Sequence, residues 1–124
     1  MSAHHKPPRH LGPLESEITE GIRAYLRKRG AWEMKVLGGG RGVLKQRAGI
    51  PDLLVCYRGL FVALEVKRPR GKVSDAQALE IRRIQEAQGV AQVATGLPDV
   101  IKILDALDGA LHDWPPDMWP WASD

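Results

Sequence analysis

The sequence contains a single cysteine, Cys56, which excludes an internal disulfide framework and a thiolate metal cluster within one chain. Long apolar runs are also missing, and none approaches the roughly 20 residues that a membrane-spanning helix needs. No charged-then-apolar segment begins the chain in the manner of a secretory signal. We therefore expect an intracellular, cytoplasmic protein that has no membrane partner.

The 124 residues suffice for one domain with a proper core, and a content of 44% hydrophobic and 27% charged residues is typical of globular proteins. The charge is unevenly distributed. Residues 21–72 contain 13 Lys and Arg against three acids, whereas residues 99–124 contain one Lys against six Asp. A basic centre beside an acidic end favours a polyanionic partner, although charge alone fits a role in solubility equally well.

Apolar spacing and capping signals predict an α/β domain with the order α-β-β-β-α-β-α and no repeats. The first helix starts at Leu14 and is stopped by Gly30. The second is capped by Ser74 and closed by Gly89, and the third starts at Pro98. Strands are predicted at residues 32–37, 52–57, 60–67 and 90–95.

The predicted domain spans residues 14–109, between a flexible arm at 1–13 and a Trp- and Pro-rich tail at 110–124. Prolines in the tail forbid a regular helix or a central strand. Exposing the indoles of Trp114, Trp119 and Trp121 is costly, so we expect them to pack on something. Their own domain, a second subunit and a protein partner all remain open.

The strands at 52–57 and 60–67 form a hairpin if residues 58–59 are a two-residue loop. Paired positions then place Asp52 directly opposite Glu65 on one face, with Cβ atoms roughly 5 Å apart. Lys67 lies on the same face, about 6.6 Å further along the strand. The remaining positions are apolar on both faces, so we expect the hairpin to be covered on both sides.

Two opposed carboxylates repel each other unless a positive charge lies between them. A divalent cation fits, because hard cations take oxygen ligands from one or two carboxylates. The alternative is a solvated stripe of salt bridges that includes Glu65 and Lys67. Glu15 is a further candidate, since it falls inside the apolar arc of the first helix, between Ile22 and Leu26. It either joins the metal site or is a first-turn acid favoured by the helix dipole.

These residues resemble a known family. The sequences GIPD at 49–52 and EVK at 65–67 resemble the signature of PD-(D/E)XK nucleases. More narrowly, the chain is similar to the virus-type replication-repair nuclease (VRR-NUC) group over about residues 14–105. That likeness adds ESEI at 15–18, FVALEVKRPRGK at 61–72, and a helix entered by Ser74 with Gln77. The resemblance implies a restriction-endonuclease-like fold around a central mixed sheet.

The resemblance also implies roles for the site residues. Asp52, Glu65 and the backbone carbonyl of Val66 would bind Mg²⁺ or Mn²⁺. Lys67 would orient or help deprotonate the attacking water and offset charge on the phosphate. Glu15 would bind a second metal or a metal-bound water.

Gln77 has two possible roles that the sequence does not separate. In the family a glutamine at this position lies near the active site, which makes Gln77 a candidate catalytic residue. The spacing from Ser74 to Gln77 is equally that of a capping box.

Basic residues flank the expected site. The Gly-rich run at residues 38–42 lacks the Gly-Lys-Ser/Thr ending of a phosphate loop, so we expect no nucleotide cofactor. A flexible loop that lets its basic residues reach a DNA backbone fits better. Lys35 either lies beside the cleft or is an ordinary exposed strand lysine. The full candidate DNA-binding set is Lys35, Arg41, Lys45, Arg47, Arg68, Arg70 and Lys72.

The sequence thus predicts a Mg²⁺- or Mn²⁺-dependent endonuclease that hydrolyses DNA phosphodiester bonds. By the resemblance we expect action on branched DNA such as Holliday junctions, by a homodimer that brings two active sites to two strands. The main alternative is a non-catalytic nucleic-acid-binding module of the same fold. A weaker one is an interaction protein that works through its tail, which deletion of residues 110–124 would identify.

Overall fold

The computed structural model describes residues 12–37 and 47–111. In this part of the chain, a four-stranded sheet whose strands lie side by side in chain order is flanked by three helices. The elements, in chain order, are α1 (Glu15–Lys28), β1 (Trp32–Lys35), β2 (Leu53–Tyr57), β3 (Leu60–Val66), α2 (Asp75–Glu86), β4 (Val90–Ala94) and α3 (Leu97–Leu111). The first three strands are antiparallel and β4 is parallel to β3, so the sheet is mixed. The predicted α/β class and element order are confirmed.

The register of the central hairpin is the predicted one. Tyr57 pairs with Leu60 and Leu53 pairs with Leu64. Arg58 and Gly59 both have positive φ, 52° and 85°. Two such residues form the kind of tight turn whose twist matches that of the flanking strands. The open end of the hairpin therefore brings residue 52 next to residue 65.

The hydrophobic core lies on one face of the sheet, under α1 and α3. Ile22 and Leu26 of α1 and Leu104 of α3 pack there against the inward side chains of the strands, such as Val55 and Leu64. All five are at most 1% exposed. Burial of such a side chain stabilises the fold by about 1.5–3 kcal/mol. This face fixes the sheet to which the functional side chains are attached.

Among the described elements, the opposite face is covered only by α2, which packs against β3 and β4. Trp32, Cys56 and Phe61 form a row of opposed residues on the uncovered part of this face. Trp32 is 59% exposed and Phe61 47%, and Cys56 is exposed as well. Within residues 12–37 and 47–111, the expected cover on both sides is therefore missing at the turn end of the hairpin. The 12-residue α2 does not extend over β1 and β2.

Most of the predicted arm and of the predicted tail lies outside the described residues, and the tail tryptophans lie wholly outside them. Helix α3 continues to Leu111, so residues 110 and 111 are helical. Among the helices in the described ranges, none is long and apolar enough to span a membrane.

Candidate active site

Asp52 and Glu65 meet at the open end of the hairpin, one position beyond the paired residues Leu53 and Leu64. The backbone N–H of Val66 donates a hydrogen bond to Asp52 Oδ2 at 2.8 Å. This bond ties the Asp52 carboxylate to β3. Asp52 is half-buried, whereas Glu65 is only 2% exposed. The predicted juxtaposition of the two carboxylates is thus present.

Lys67 follows Glu65 on the same face and directs its ammonium group to it. Lys67 Nζ lies 3.6 Å from Glu65 Oε2, and the lysine side chain is 16% exposed. A single lysine does not neutralise two neighbouring carboxylates. With both carboxylates ionised, these three side chains carry a net negative charge, which a proton or a further positive charge must balance.

Gln77 makes the contacts of both positions that the sequence left open, the capping box and the neighbourhood of the site. Its Nε2 donates to Glu65 Oε2 at 3.0 Å. Its Oε1 accepts from the backbone N–H of Ser74 at 2.9 Å, and the Ser74 hydroxyl accepts from the Gln77 backbone N–H at 3.1 Å. One amide thus completes the capping box of α2 and holds Glu65. The N-terminus of α2 is fixed to the site by this side chain.

Glu65 Oε1 is the most informative atom of the site. It is a buried side-chain oxygen that has no hydrogen-bond partner among the described residues. Burial, reinforced by the adjacent Asp52 carboxylate, raises the pKa of Glu65 to about 8, against the lowering effect of Lys67. A carboxyl in this state either keeps a proton or gains a cation.

The donor set fits a hard divalent cation. It offers an unpartnered carboxylate oxygen and a second carboxylate, to which the resemblance adds the Val66 backbone carbonyl, and oxygen ligands are what Mg²⁺ and Mn²⁺ take. Within residues 12–37 and 47–111, no group of three or more His, Cys, Asp or Glu side chains is placed to hold a metal. The remaining ligands would then be the carbonyl, water and substrate phosphate, as is common for Mg²⁺.

Glu15 is placed differently from what the helical arc indicated. It lies in the first turn of α1 and is exposed. The buried face of the helix begins one turn later, at Ile18. A helical arc drawn over all residues of α1 does not show this difference, because the first turn of α1 extends beyond the surface that the rest of the helix covers. The expected inward orientation of Glu15 was wrong, and its role towards a metal stays a prediction.

The candidate DNA-binding residues other than Arg47 fall into three groups. Arg41 and Lys45 lie outside the described residues. Lys35 is exposed at the end of β1, and its pairing with Leu53 puts its side chain on the core face of the sheet, opposite to the face of Asp52 and Glu65. The third group, Arg68, Arg70 and Lys72, follows β3 directly. In the described part of the chain, neither Lys35 nor this third group forms a salt bridge.

Arg47, the last predicted DNA-binding residue, has a protein partner that the sequence analysis missed. Its guanidinium binds the carboxylate of Glu80 in α2 through two hydrogen bonds of 3.0 Å. A signal for Glu80 exists in the sequence, since it follows Gln77 by three residues and so shares its helix face.

Sequence comparison identifies the family. The sequence model of the VRR-NUC domain matches residues 14–98. The chain belongs to the VRR-NUC family. No curated protein matches it significantly.

Two solved structures are similar to this chain. A structure described as a VRR_NUC domain is 21% identical with a TM-score of 0.55, covering 82% of this chain and 97% of its own, and it shows the shared fold. Hjc, a Holliday junction resolvase from the archaeal hyperthermophile Archaeoglobus fulgidus, is also 21% identical with a TM-score of 0.49, covering 67% of this chain and 69% of its own. Similarity at the latter level supports no conclusion about this chain. The fold that this chain shares with the VRR_NUC domain is restriction-endonuclease-like, as the resemblance implied.

Proposed function

We propose that this VRR-NUC protein is a Mg²⁺- or Mn²⁺-dependent endonuclease that hydrolyses DNA phosphodiester bonds. The observation that carries the proposal is the unpartnered, buried Oε1 of Glu65 beside the Asp52 carboxylate. The salt bridge with Lys67 and the hydrogen bond from Gln77 both engage Oε2, so Oε1 is left for a further partner. A carboxylate pair that holds a cation requires one.

Each group at the site is assigned a separate role in hydrolysis. Asp52, Glu65 and the Val66 carbonyl hold the metal, which supplies charge stabilisation for the phosphate and activation of water when bound. Lys67 faces the same site and is suited to offset negative charge that develops on the phosphate. Gln77 keeps the Glu65 carboxylate in place through its hydrogen bond. Glu15 remains a candidate for a second metal or a metal-bound water.

DNA binding is proposed to occur through the phosphate backbone. Arg68, Arg70 and Lys72 directly follow the strand that carries Glu65, and Lys35 is exposed at the end of β1. None of the four has an acidic partner in the described part of the chain. Arg41 and Lys45 would extend this surface. The protein would then recognise DNA by shape and charge, since contacts to phosphate carry no base sequence. We expect it to work in the cytoplasm, where it meets such DNA.

The preferred substrate is proposed to be branched DNA such as a Holliday junction, cut by a homodimer. Symmetric cleavage of two strands requires two active sites related by a two-fold axis. The uncovered sheet face with Trp32, Met34 and Phe61 continues directly from the active site and is the surface a second copy would cover. Exposed apolar side chains clustered in this way are typical of interaction surfaces.

The test incubates the protein with labelled four-way junction, flap and linear duplex, each with Mg²⁺, Mn²⁺ or EDTA. Asp52→Asn and Lys67→Ala are expected to lower cleavage by roughly 100-fold or more. Glu86→Gln and Lys102→Ala remove the same charges at exposed positions away from the site and serve as matched controls. Tight junction binding without metal-dependent cleavage would instead favour the non-catalytic binding module.

A further inference from the structure

The segment that leads into Asp52 is attached to α2 at two points. The first is the pair of hydrogen bonds from Arg47 Nε and Nη2 to the two oxygens of Glu80, both 3.0 Å long. Glu80 is only 3% exposed, whereas the Arg47 side chain is 68% exposed. Glu80 also binds Arg83 of its own helix, but only Arg47 engages both of its oxygens.

The second attachment point is Gly49. Its φ is +89°, and a Cβ built on it would lie 2.3 Å from the backbone oxygen of Ala76. Any side chain here would force the segment away from the helix. Gly49 therefore lets the backbone rest directly on the first turn of α2, after which the buried Pro51 leads into Asp52.

Helix α2 is also the element that holds Glu65, through Gln77. Both carboxylates are thus positioned relative to the first turns of α2. Glu65 is positioned by the Gln77 amide, and Asp52 by the segment that precedes it. A shift of that segment would change the separation of the two carboxylates. It would also strain the hydrogen bond from the Val66 N–H to Asp52 Oδ2.

We propose that Arg47, Glu80 and Gly49 form a clamp that positions Asp52 against Glu65, and that Arg47 is a positioning residue and not a phosphate contact. The proposal rests on the proposed function only in taking these carboxylates as the metal ligands. Arginine suits this task because its planar fork matches both carboxylate oxygens, which a lysine ammonium does not.

The test compares Arg47→Lys, Arg47→Ala and Glu80→Gln in the full chain. The direct reporter is amide hydrogen exchange of Val66 without metal, read against Val62 and Leu64 of the same strand. If the clamp holds Asp52, all three variants speed exchange at Val66 by about tenfold while the reference amides change little. Affinity for a four-way junction in EDTA stays within about twofold for Arg47→Lys and Glu80→Gln.

Arg83→Ala is the matched control. Arg83 also binds Glu80, at 2.9 Å, but from within α2, so its loss removes an ion pair without releasing the segment. We expect no change of Val66 exchange in this variant. A thermal melt of each protein separates local release from general destabilisation, and Arg47→Lys retains a positive charge near Glu80 in case Glu80→Gln does not fold.

The opposite pattern overturns the proposal. Arg47 is a phosphate contact if Arg47→Ala weakens junction binding in EDTA about tenfold, with a shallower salt dependence, while Glu80→Gln leaves binding and Val66 exchange unchanged. These readouts need no cleavage. The clamp can therefore fail while the nuclease stands, or stand while no cleavage is found.

Discussion

The two ends of the central hairpin differ in whether the carboxylate next to them has all its oxygens paired. At the turn end, the Asp108 carboxylate accepts hydrogen bonds from the Tyr57 hydroxyl at 2.8 Å, Arg58 at 3.0 Å and Arg29 at 2.9 Å. These bonds, the one from Tyr57 above all, lower the pKa of Asp108. At the open end, Glu65 keeps one oxygen without a partner and has a raised pKa.

The difference shows that the unpartnered oxygen does not come from a shortage of basic residues. The chain has 18 Lys and Arg for 15 Asp and Glu, and its turn end satisfies an acid with two arginines and a tyrosine. At the open end, Arg68 and Arg70 lie within five residues of Glu65 but form no salt bridge to it in the described structure. The open end thus keeps an unpartnered carboxylate oxygen although basic residues are close in sequence, which is what the proposed metal site requires.

The largest effect expected from this comparison is on cleavage. Glu65→Gln should lower the single-turnover rate with Mg²⁺ by roughly 100-fold or more, because it removes a metal-binding charge. Asp108→Asn should leave that rate within about twofold, since Asp108 only joins elements of the fold. Equal losses in both variants would mean that the two ends do not differ in function.

The same two variants should have opposite effects on the stability of the metal-free protein. The pKa of Glu65 is raised from its ordinary 4.5 to about 8. Between these values the folded state binds a proton that the unfolded state has lost, so the free energy of unfolding falls as the pH rises. Glu65→Gln removes this dependence and should stabilise the protein at pH 8 by roughly 1–3 kcal/mol.

Asp108→Asn should lower the melting temperature instead, because it removes a carboxylate that three groups contact. The contribution of Asp108 is present above its ordinary pKa and is lost only as the pH falls through its lowered value. Melts in EDTA from pH 4 to pH 9 check both variants. A Glu65→Gln protein that is less stable than wild type at pH 8 would contradict the raised pKa of Glu65.

A smaller effect is expected from separating the two roles of Gln77. Ser74→Ala removes the side-chain cap of α2 and should cost about 0.5–2 kcal/mol of stability with little change in cleavage rate. Gln77→Ala removes the cap contact and also the hydrogen bond to Glu65, so it should lower cleavage by roughly three- to tenfold as well. Melting temperatures and cleavage rates of the two variants, measured side by side, make the distinction. If Ser74→Ala lowers cleavage as much, Gln77 acts only through the helix.

What the sequence could predict depended on how local the determining interaction is. The hairpin register follows from two residues, Arg58 and Gly59, and so Asp52 and Glu65 could be paired from the sequence. The exposure of Glu15 could not be predicted, because it depends on where α1 meets the sheet. The contact of Arg47 with Glu80 joins positions 33 residues apart and needs the docked helix to become visible.

The smallest effect concerns the uncovered face, and the chain's single cysteine reports on it. Cys56 lies exposed between Trp32 and Phe61 in the row across β1, β2 and β3. If a second copy covers this face, the rate of thiol labelling should fall several-fold as protein concentration rises past the dimer dissociation constant.

A Cys56→Ser/Ser16→Cys protein is the matched control, because Ser16 is exposed on α1, on the other side of the sheet. A labelling rate that is independent of concentration, in a protein that light scattering shows to be dimeric, would place the dimer interface elsewhere. A protein that is monomeric at all concentrations would remove the homodimer.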